Sequence, residues 1–250
     1  MSLPPELESV FGETSTVFQH VHLIAREMVA ENTLALRIER PQNFTFEAGQ
    51  NTTISIPGAH ADDMKEFTIA SAPYEKDLML AMRVRNSNFK NACYALKPGD
   101  VITVRYPAGA LWKETDEPQT WLSGGIGITP FRSIIRHLIH QNIPLAITHI
   151  HSDRTRASVP FLQEFESYAA KCNGFHFFPT MTREAAGGRL HGRVTGEMVT
   201  SHVAQYAASS YFVVGTDAFI GAMRAILVQL SISPSQVRTE RFDGYKTNGA

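Results

Sequence analysis

Residues 120–130 read Thr-Trp-Leu-Ser-Gly-Gly-Ile-Gly-Ile-Thr-Pro, a short apolar strand running into three glycines and then a proline. Phe131, Ile134, Ile135, Leu138 and Ile139 follow at helical spacing. Strand, glycine turn and amphipathic helix thus succeed one another without a spacer. The glycines allow close backbone approach to a ligand, and Pro130 is preorganised for a first helical turn. Free amides at the positive end of a helix favour a phosphate. The same residues also suit a tight turn with no ligand. No Lys-Ser or Lys-Thr follows, so this is not a Walker loop. Pro130 stands where the usual dinucleotide fingerprint has its third glycine, and no acid ends the next strand at that fingerprint's usual distance.

Downstream the rhythm of strand and helix continues. Leu145 to His151, Phe175 to Thr180, Tyr211 to Gly215 and Val237 to Phe242 read as strands. Between them lie helical patterns carried by Phe161, Leu162, Phe165, Tyr168 and Ala169, and by Phe219, Met223, Ile226, Leu227 and Leu230. That alternation predicts a parallel sheet with helices on both faces, over residues 119–250.

Upstream the sequence changes character. Val17 to Ile24, Thr33 to Glu39, Asn51 to Ile56, Glu66 to Ser71, Leu78 to Arg85 and Val101 to Tyr106 read as short strands separated by turn residues. So many short strands between Thr16 and Trp112 predict a small barrel or sandwich, residues 16–113, with a short helix over Asn88 to Leu96. Lys113 to Gln119 (KETDEPQ) is the expected domain boundary, and residues 1–15 read as a loose tail. The organisation expected is therefore two-domain: a small β-barrel or sandwich followed by an α/β parallel-sheet domain.

Composition narrows the function. Of 250 residues, 43% are hydrophobic and 19% charged, and 23 basic against 24 acidic residues leave a net charge of −1. That balance gives no reason to expect a nucleic-acid or membrane partner. The N-terminal residues lack the basic start and apolar core of a signal peptide, and the most apolar stretch, Tyr211 to Leu230, is interrupted by Asp217 and Arg224. With two cysteines only, Cys93 and Cys172, a reducing cytoplasmic location is expected.

Two further segments suit a phosphorylated, ring-bearing ligand. Lys65-Glu66-Phe67-Thr68-Ile69-Ala70-Ser71 places a cation, an aromatic and a hydroxyl at i, i+2 and i+3, although an ordinary alternating strand would read the same way. Ser87-Asn88-Phe89-Lys90-Asn91 enters a short helix, where amides and Lys90 suit an anion. Histidines recur as His20-x-His22 and His149-x-His151, two imidazoles on one strand face, but the local sequence supplies no further ligands and no metal site is expected.

Taken together, in order and spacing, these segments resemble the flavoprotein reductases of the ferredoxin–NADP reductase type, from Thr16 to Tyr245. The resemblance implies a two-domain fold: an antiparallel β-barrel that binds FAD, followed by an α/β parallel-sheet nucleotide-binding domain that binds NADH or NADPH. Lys65, Phe67 and Thr68 match the flavin motif Arg-x-Tyr/Phe-Ser/Thr. The match puts Phe67 near the flavin ring and Thr68, the catalytic candidate, at its reactive N5 edge. Lys65 replaces the usual arginine, keeping the charge without the bidentate fork. Ile69, Ala70, Ser71, Arg83 and Val84 fall in the implied flavin-contact set, and Phe89 and Lys90 match the helix start that cradles the flavin phosphates, which favours FAD over FMN. Ser123 to Pro130 matches Gly-Gly-x-Gly-x-Thr-Pro, so Gly125, Gly127, Thr129 and Pro130 are expected at the nicotinamide nucleotide. Gly215 and Thr216 belong to the same site, although Val214-Gly215 stands where the family often has Cys-Gly. Phe242 and Tyr245 match a C-terminal aromatic segment near the flavin.

The resemblance implies hydride transfer from the nicotinamide to the flavin and onward release of single electrons. Two cysteines are too few for an iron–sulfur cluster held by four, so the acceptor is expected to be separate: ferredoxin or another iron–sulfur protein. A small-molecule acceptor, or a role as a flavin-holding subunit of a larger complex, are the alternatives. Ser152, Arg154 and Arg156 surround Asp153 with groups suited to a 2′-phosphate. They favour NADPH if both arginines face the cleft, and equally suit a solvated loop.

Overall fold

A computed structural model of the chain describes residues 18–57, 64–84, 87–109, 111–115, 117–184 and 190–242. The first sheet holds β1 (Phe18–Ala30), β2 (Thr33–Ile38), β3 (Asn51–Ser55), β4 (Lys65–Thr68), β5 (Leu78–Arg83) and β6 (Val101–Arg105). All pairs are antiparallel in the order β4-β3-β6-β1-β2-β5, and an Ile69–Leu80 bridge joins the two ends into a closed barrel. Helix α1 (Asn88–Ala95), capped by the Ser87 side chain, buries Phe89 and Cys93 in the barrel core.

Strand β1 continues well past the expected Ile24. Ala25 to Ala30 has no run of strand-forming residues, yet it pairs with β2 from Ala25↔Arg37 to Ala30↔Thr33, with a shift of register between Met28 and Ala30. Sheet pairing overrides local propensity there. Val17 and Arg85, placed in strands by the sequence, and the tail over residues 1–15 lie outside the described residues.

The second sheet is parallel, with β7 (Gln119–Gly124), β8 (Ile147–Asp153), β9 (Phe175–Met181), β10 (Ser210–Gly215) and β11 (Val237–Arg241) in the order β11-β10-β7-β8-β9. Its strand order reverses between β7 and β10, which opens a crevice beyond their carboxyl ends. On one face Trp121, Phe175, Phe212 and Val214 pack against α2 (Thr129–His140) and α3 (Leu162–Lys171). On the other, Leu122, Ile150, Tyr211 and Val213 pack against α4 (Gly196–His202) and α5 (Asp217–Gln229). Helix α4 is an addition to the sequence reading. Its seven residues are too few to show a period, although Thr195 caps Met198 N in the ordinary way. Among the described residues no helix is long and apolar enough to cross a membrane.

The two sheets share one core. Leu34, Leu36, Leu80 and Met82 fill the barrel, while Ala35 and Ala81, paired across β2 and β5, face outward. These small side chains belong to the same apolar cluster as Phe131, Ile134, Ile135 and Leu138 of α2. Polar contacts then fix the docking. Arg132 Nη1 donates to Ala70 O at 2.7 Å, Ser133 Oγ donates to Ser71 O at 2.7 Å, and Arg136 Nε reaches Glu75 Oε1 at 2.8 Å. Arg132 is 6% exposed and also pairs with Glu164 Oε2 at 2.8 Å.

Truncating one member of a buried ion pair leaves the other charge uncompensated, and Arg132→Ala is expected to lower unfolding free energy by about 3 kcal/mol. Urea denaturation measures it; a loss below about 1 kcal/mol would mean that Arg132 does not anchor the interface.

Candidate active site between the barrel and the parallel sheet

At the carboxyl end of β7 the chain turns at Gly124 into a 3₁₀ turn, Gly125–Ile128, that leads directly into α2. Gly125 has φ +57°, a left-handed conformation open to glycine. Gly127 lies so close to β10 that a Cβ would come within 2.5 Å of Val214 O. No side chain caps the first amides of this turn. Thr129 acts inward: its hydroxyl donates to Ile126 O at 3.0 Å, and both Thr129 and Pro130 are buried. The glycines therefore present the backbone, and the Thr-Pro pair holds the turn.

A cleft of about 520 Å³ opens here. Gly124, Gly125 and Ile126 form its floor, with Gly215, Thr216 and Phe242 on one side. Phe242 N donates to Gly215 O at 2.9 Å, which ties the end of β11 to the end of β10. Ser152, Arg154, Thr182 and Arg183 form the opposite wall. The barrel contributes Arg83 and Val84. Tyr245 lies outside the described residues.

Arg83 is committed to joining the domains. Its Nη1 donates to Thr33 Oγ1 at 2.7 Å and to Ser158 O at 2.7 Å, and its Nη2 pairs with Asp153. Asp153 Oδ1 accepts from Ser158 Oγ at 2.7 Å and Arg154 N at 2.8 Å. Burial disfavours the Asp153 carboxylate, but His151, Arg83 and Ser158 outweigh it and hold the carboxyl below the usual range. Behind it, Ser123 Oγ sits 2.7 Å from both His149 Nε2 and His151 Nδ1. Both imidazoles are fully buried, and burial first, then neighbouring His151, pushes His149 well below its ordinary pKa. His149-x-His151 thus orders the carboxyl end of β8 from within the core.

Arg156 does not reach this cleft. Its guanidinium pairs with Glu166 through two bonds, of 2.8 and 2.7 Å, and lines a separate groove of about 840 Å³ beside the β1–β2 hairpin. The expectation that Arg154 and Arg156 act as a pair is corrected accordingly. An acid ten residues further on, one that no local motif announces, captures the second arginine.

The flavin-motif residues divide between the two faces of β4. Lys65 and Phe67 share one face, and the Phe67 ring lies near-parallel to Phe89 at 6.0 Å between centroids. Phe89 itself is 1% exposed, so it backs Phe67 from the core; Lys90, one residue on, is half-buried. Ile69, Ala70 and Ser71 are buried. Ile69 bridges to Leu80, the Ser71 hydroxyl accepts from Met79 N at 3.0 Å, and the carbonyls of Ala70 and Ser71 receive α2. The structure brings these three to the interdomain seam rather than to the cleft.

Thr68, on the other face, meets a residue that the sequence did not single out. Its Oγ1 donates to Glu240 Oε1 at 3.4 Å, joining β4 to β11 across 172 positions of sequence. Burial pushes the Glu240 carboxyl up to about 7; Thr68 opposes the shift and Glu66 adds to it. Glu240 lies opposite Val214 in the β10–β11 register, two residues before Phe242 at the cleft. A hydroxyl and a carboxyl titrating near neutrality thus meet beside the crevice. The one sequence signal was the charged residue within the aromatic C-terminal segment.

The pattern of the family described as Oxidoreductase NAD-binding domain matches residues 121–225, which span the glycine turn and the strands flanking the crevice. Over those residues the chain carries an oxidoreductase NAD-binding domain, and its two-domain fold is that of the ferredoxin–NADP reductase-like proteins. A ferredoxin NADP+ reductase from Neisseria gonorrhoeae with bound FAD and NADP superposes on this reductase-like fold with a TM-score of 0.80. It does so at 17% identity, over 91% of this chain and 99% of that one. The glycine betaine monooxygenase reductase subunit of Pseudomonas aeruginosa is 25% identical over 236 residues, 88% of this chain and 64% of the relative. The propane 2-monooxygenase reductase component of Mycolicibacterium smegmatis is 25% identical over 241 residues, 92% and 68% of the two. The chain thus spans about two thirds of the length of these reductase relatives.

A raised carboxyl pKa makes folding least favourable where the group must ionise. The stability associated with neutral Glu240 is present below about pH 4.5 and is lost as pH rises towards about 7. Glu240→Gln should therefore gain on wild type across that window and hold a constant lead above it. Thermal unfolding at pH 4.5, 6 and 8 measures this, and parallel pH curves would contradict it.

Proposed function

We propose that the chain is an FAD-dependent NAD(P)H oxidoreductase that passes electrons singly to a separate acceptor protein, ferredoxin or another iron–sulfur protein. The flavin belongs with residues 16–113 and the nicotinamide nucleotide with residues 119–250. The observation that carries this reading is the meeting of Thr68, from the flavin-motif strand, with Glu240 beside the crevice of the parallel sheet.

The residues present suit FAD. Phe67, supported by Phe89, offers an apolar face for a ring system, and Lys65 two residues earlier offers a cation on the same side. The start of α1, with Ser87 as cap and Lys90 in the first turn, suits the phosphates. When bound, FAD would accept a hydride from the nicotinamide and release its electrons one at a time. The chain's own residues bind, orient and hold protons. The amides after Gly124 and the positive helix end receive the nucleotide's pyrophosphate. Gly215 and Thr216 line the side on which the nicotinamide would lie. Thr68 would offer its hydroxyl to the flavin, and Glu240 keeps a proton at Oε1 or Oε2 up to near-neutral pH. Neither a nucleophile nor a metal is needed, since fixed distance and orientation are the protein's contribution.

The relatives named as reductase components of monooxygenases support a separate acceptor. The purified chain should be yellow, yield FAD on acid release, and oxidise NAD(P)H with an artificial acceptor. Thr68→Ala should keep the FAD and slow its reduction by on the order of tenfold, the worth of one hydrogen bond of about 1 kcal/mol or somewhat more. FMN alone, or bound FAD without turnover, would contradict the proposal. Reduction at the wild-type rate would remove Thr68 from the catalytic residues.

A further inference from the structure

A buried line of polar groups runs from the glycine turn to the bridge between the domains. Ser123, the residue before Gly124, stands opposite His151 in the β7–β8 register, and its Oγ lies 2.7 Å from both His149 Nε2 and His151 Nδ1. His151 Nε2 in turn faces Asp153 Oδ2 at 3.6 Å. His149 is packed among the rings of Trp121, Phe131, Phe165 and Phe177, with centroids 5.0 to 5.7 Å away. Apolar side chains would fill this core without the cost of burying two imidazoles, so packing alone does not account for them.

The available hydrogens give the line a direction. Asp153 is ionised at neutral pH, and a carboxylate only accepts, so the nitrogen of His151 that faces it carries a hydrogen. In the neutral ring Nδ1 then accepts from the Ser123 hydroxyl, whose oxygen accepts from His149 Nε2. His151 Nε2 has no hydrogen-bond partner among the described residues, since 3.6 Å is just beyond a direct bond. On its far side the same Oδ2 pairs with Arg83 Nη2. Asp153 is thus held between a donor from its own strand and one from the barrel. Arg83 also overhangs the glycine turn, because a Cβ on Gly125 would lie 3.6 Å from its Nη2. A shift of Asp153 therefore shifts the guanidinium beside the turn.

We infer that His151 is a positioning residue for the nucleotide cleft: acting through Asp153, it holds Arg83 over Gly125 and so sets the opening between the barrel and the glycine turn. The inference rests on the reading of the cleft as the nicotinamide nucleotide site, and it gives a task to a histidine that lies wholly in the core.

The test is rapid-mixing reduction of the flavin-loaded chain at varied NADH and NADPH, which separates nucleotide affinity from the limiting rate. His151→Phe keeps a ring without its nitrogens, His151→Gln returns an amide N–H near Nε2, and His151→Asn returns one near Nδ1 only. His151→Phe and His151→Asn should weaken both nucleotides by on the order of tenfold, about 1.4 kcal/mol, and leave the limiting rate unchanged. His151→Gln should restore affinity, and in an Asp153→Asn background His151→Phe should cost nothing further. Wild-type affinity in His151→Phe, equal losses in all three variants, or effects that add to Asp153→Asn would overturn the role. Should the variants fail to fold, ring-nitrogen NMR of the wild-type chain decides: a hydrogen on His151 Nε2 is required, and a bare Nε2 contradicts the inference. If neither nucleotide reduces the wild-type chain saturably, the reading of the cleft fails and takes the role of His151 with it.

Discussion

The placement of the candidate active site depends on how α2 grips the end of β4. Arg132 and Ser133 donate to the carbonyls of Ala70 and Ser71, two and three residues beyond Thr68. Those bonds form in a buried seam, where an unmade backbone acceptor would be costly. The grip therefore fixes the strand that carries Thr68 relative to the parallel sheet that carries Glu240. The same helix begins at the glycine turn, so the cleft floor, the domain seam and the placement of the Thr68–Glu240 contact depend on one element. Arg83 and Asp153 close the seam on the far side of the cleft. An active site built from two domains needs such a frame, because small errors in distance between reacting groups are expensive.

The seam also explains why residues of one sequence motif have different roles. In a strand, neighbouring side chains point to opposite faces. Lys65 and Phe67 thus share one face of β4, Thr68 turns toward Glu240 of the other domain, and Ile69 to Ser71 are drawn into the closure of the barrel. Motif membership alone does not distinguish a residue that touches a cofactor from one that holds the residue that does.

Much of the fold was legible because hydrophobic period is a local property. The alternation of Leu34, Leu36 and Ile38 with Thr33, Ala35 and Arg37 in β2, the apolar runs in β5 and β10, and the helical spacing after Pro130 are all visible in windows of a few residues. The glycine turn was legible for the same reason. What escaped depends on partners distant in sequence or on elements too short to show a period. The extension of β1 is set by its pairing with β2, and α4 is seven residues long. The neutralisation of Asp153 requires Arg83 from 70 positions away, the loss of Arg156 requires Glu166, and the raised carboxyl of Glu240 requires burial against Thr68. Charge and hydroxyl patterns indicate what a loop can bind; tertiary contacts decide which of those groups are already engaged.

The central claim is that Thr68 and Glu240 act as one unit at the junction of the domains. A double-mutant cycle on the rate of anaerobic flavin reduction by NADPH, with Thr68→Ala, Glu240→Gln and the double variant, measures that most directly. Side chains in contact should couple by about 0.5 kcal/mol or more, so the double variant should be distinctly less impaired than the product of the single effects. Strict additivity would contradict the account, since it would mean that the two groups serve the reaction independently.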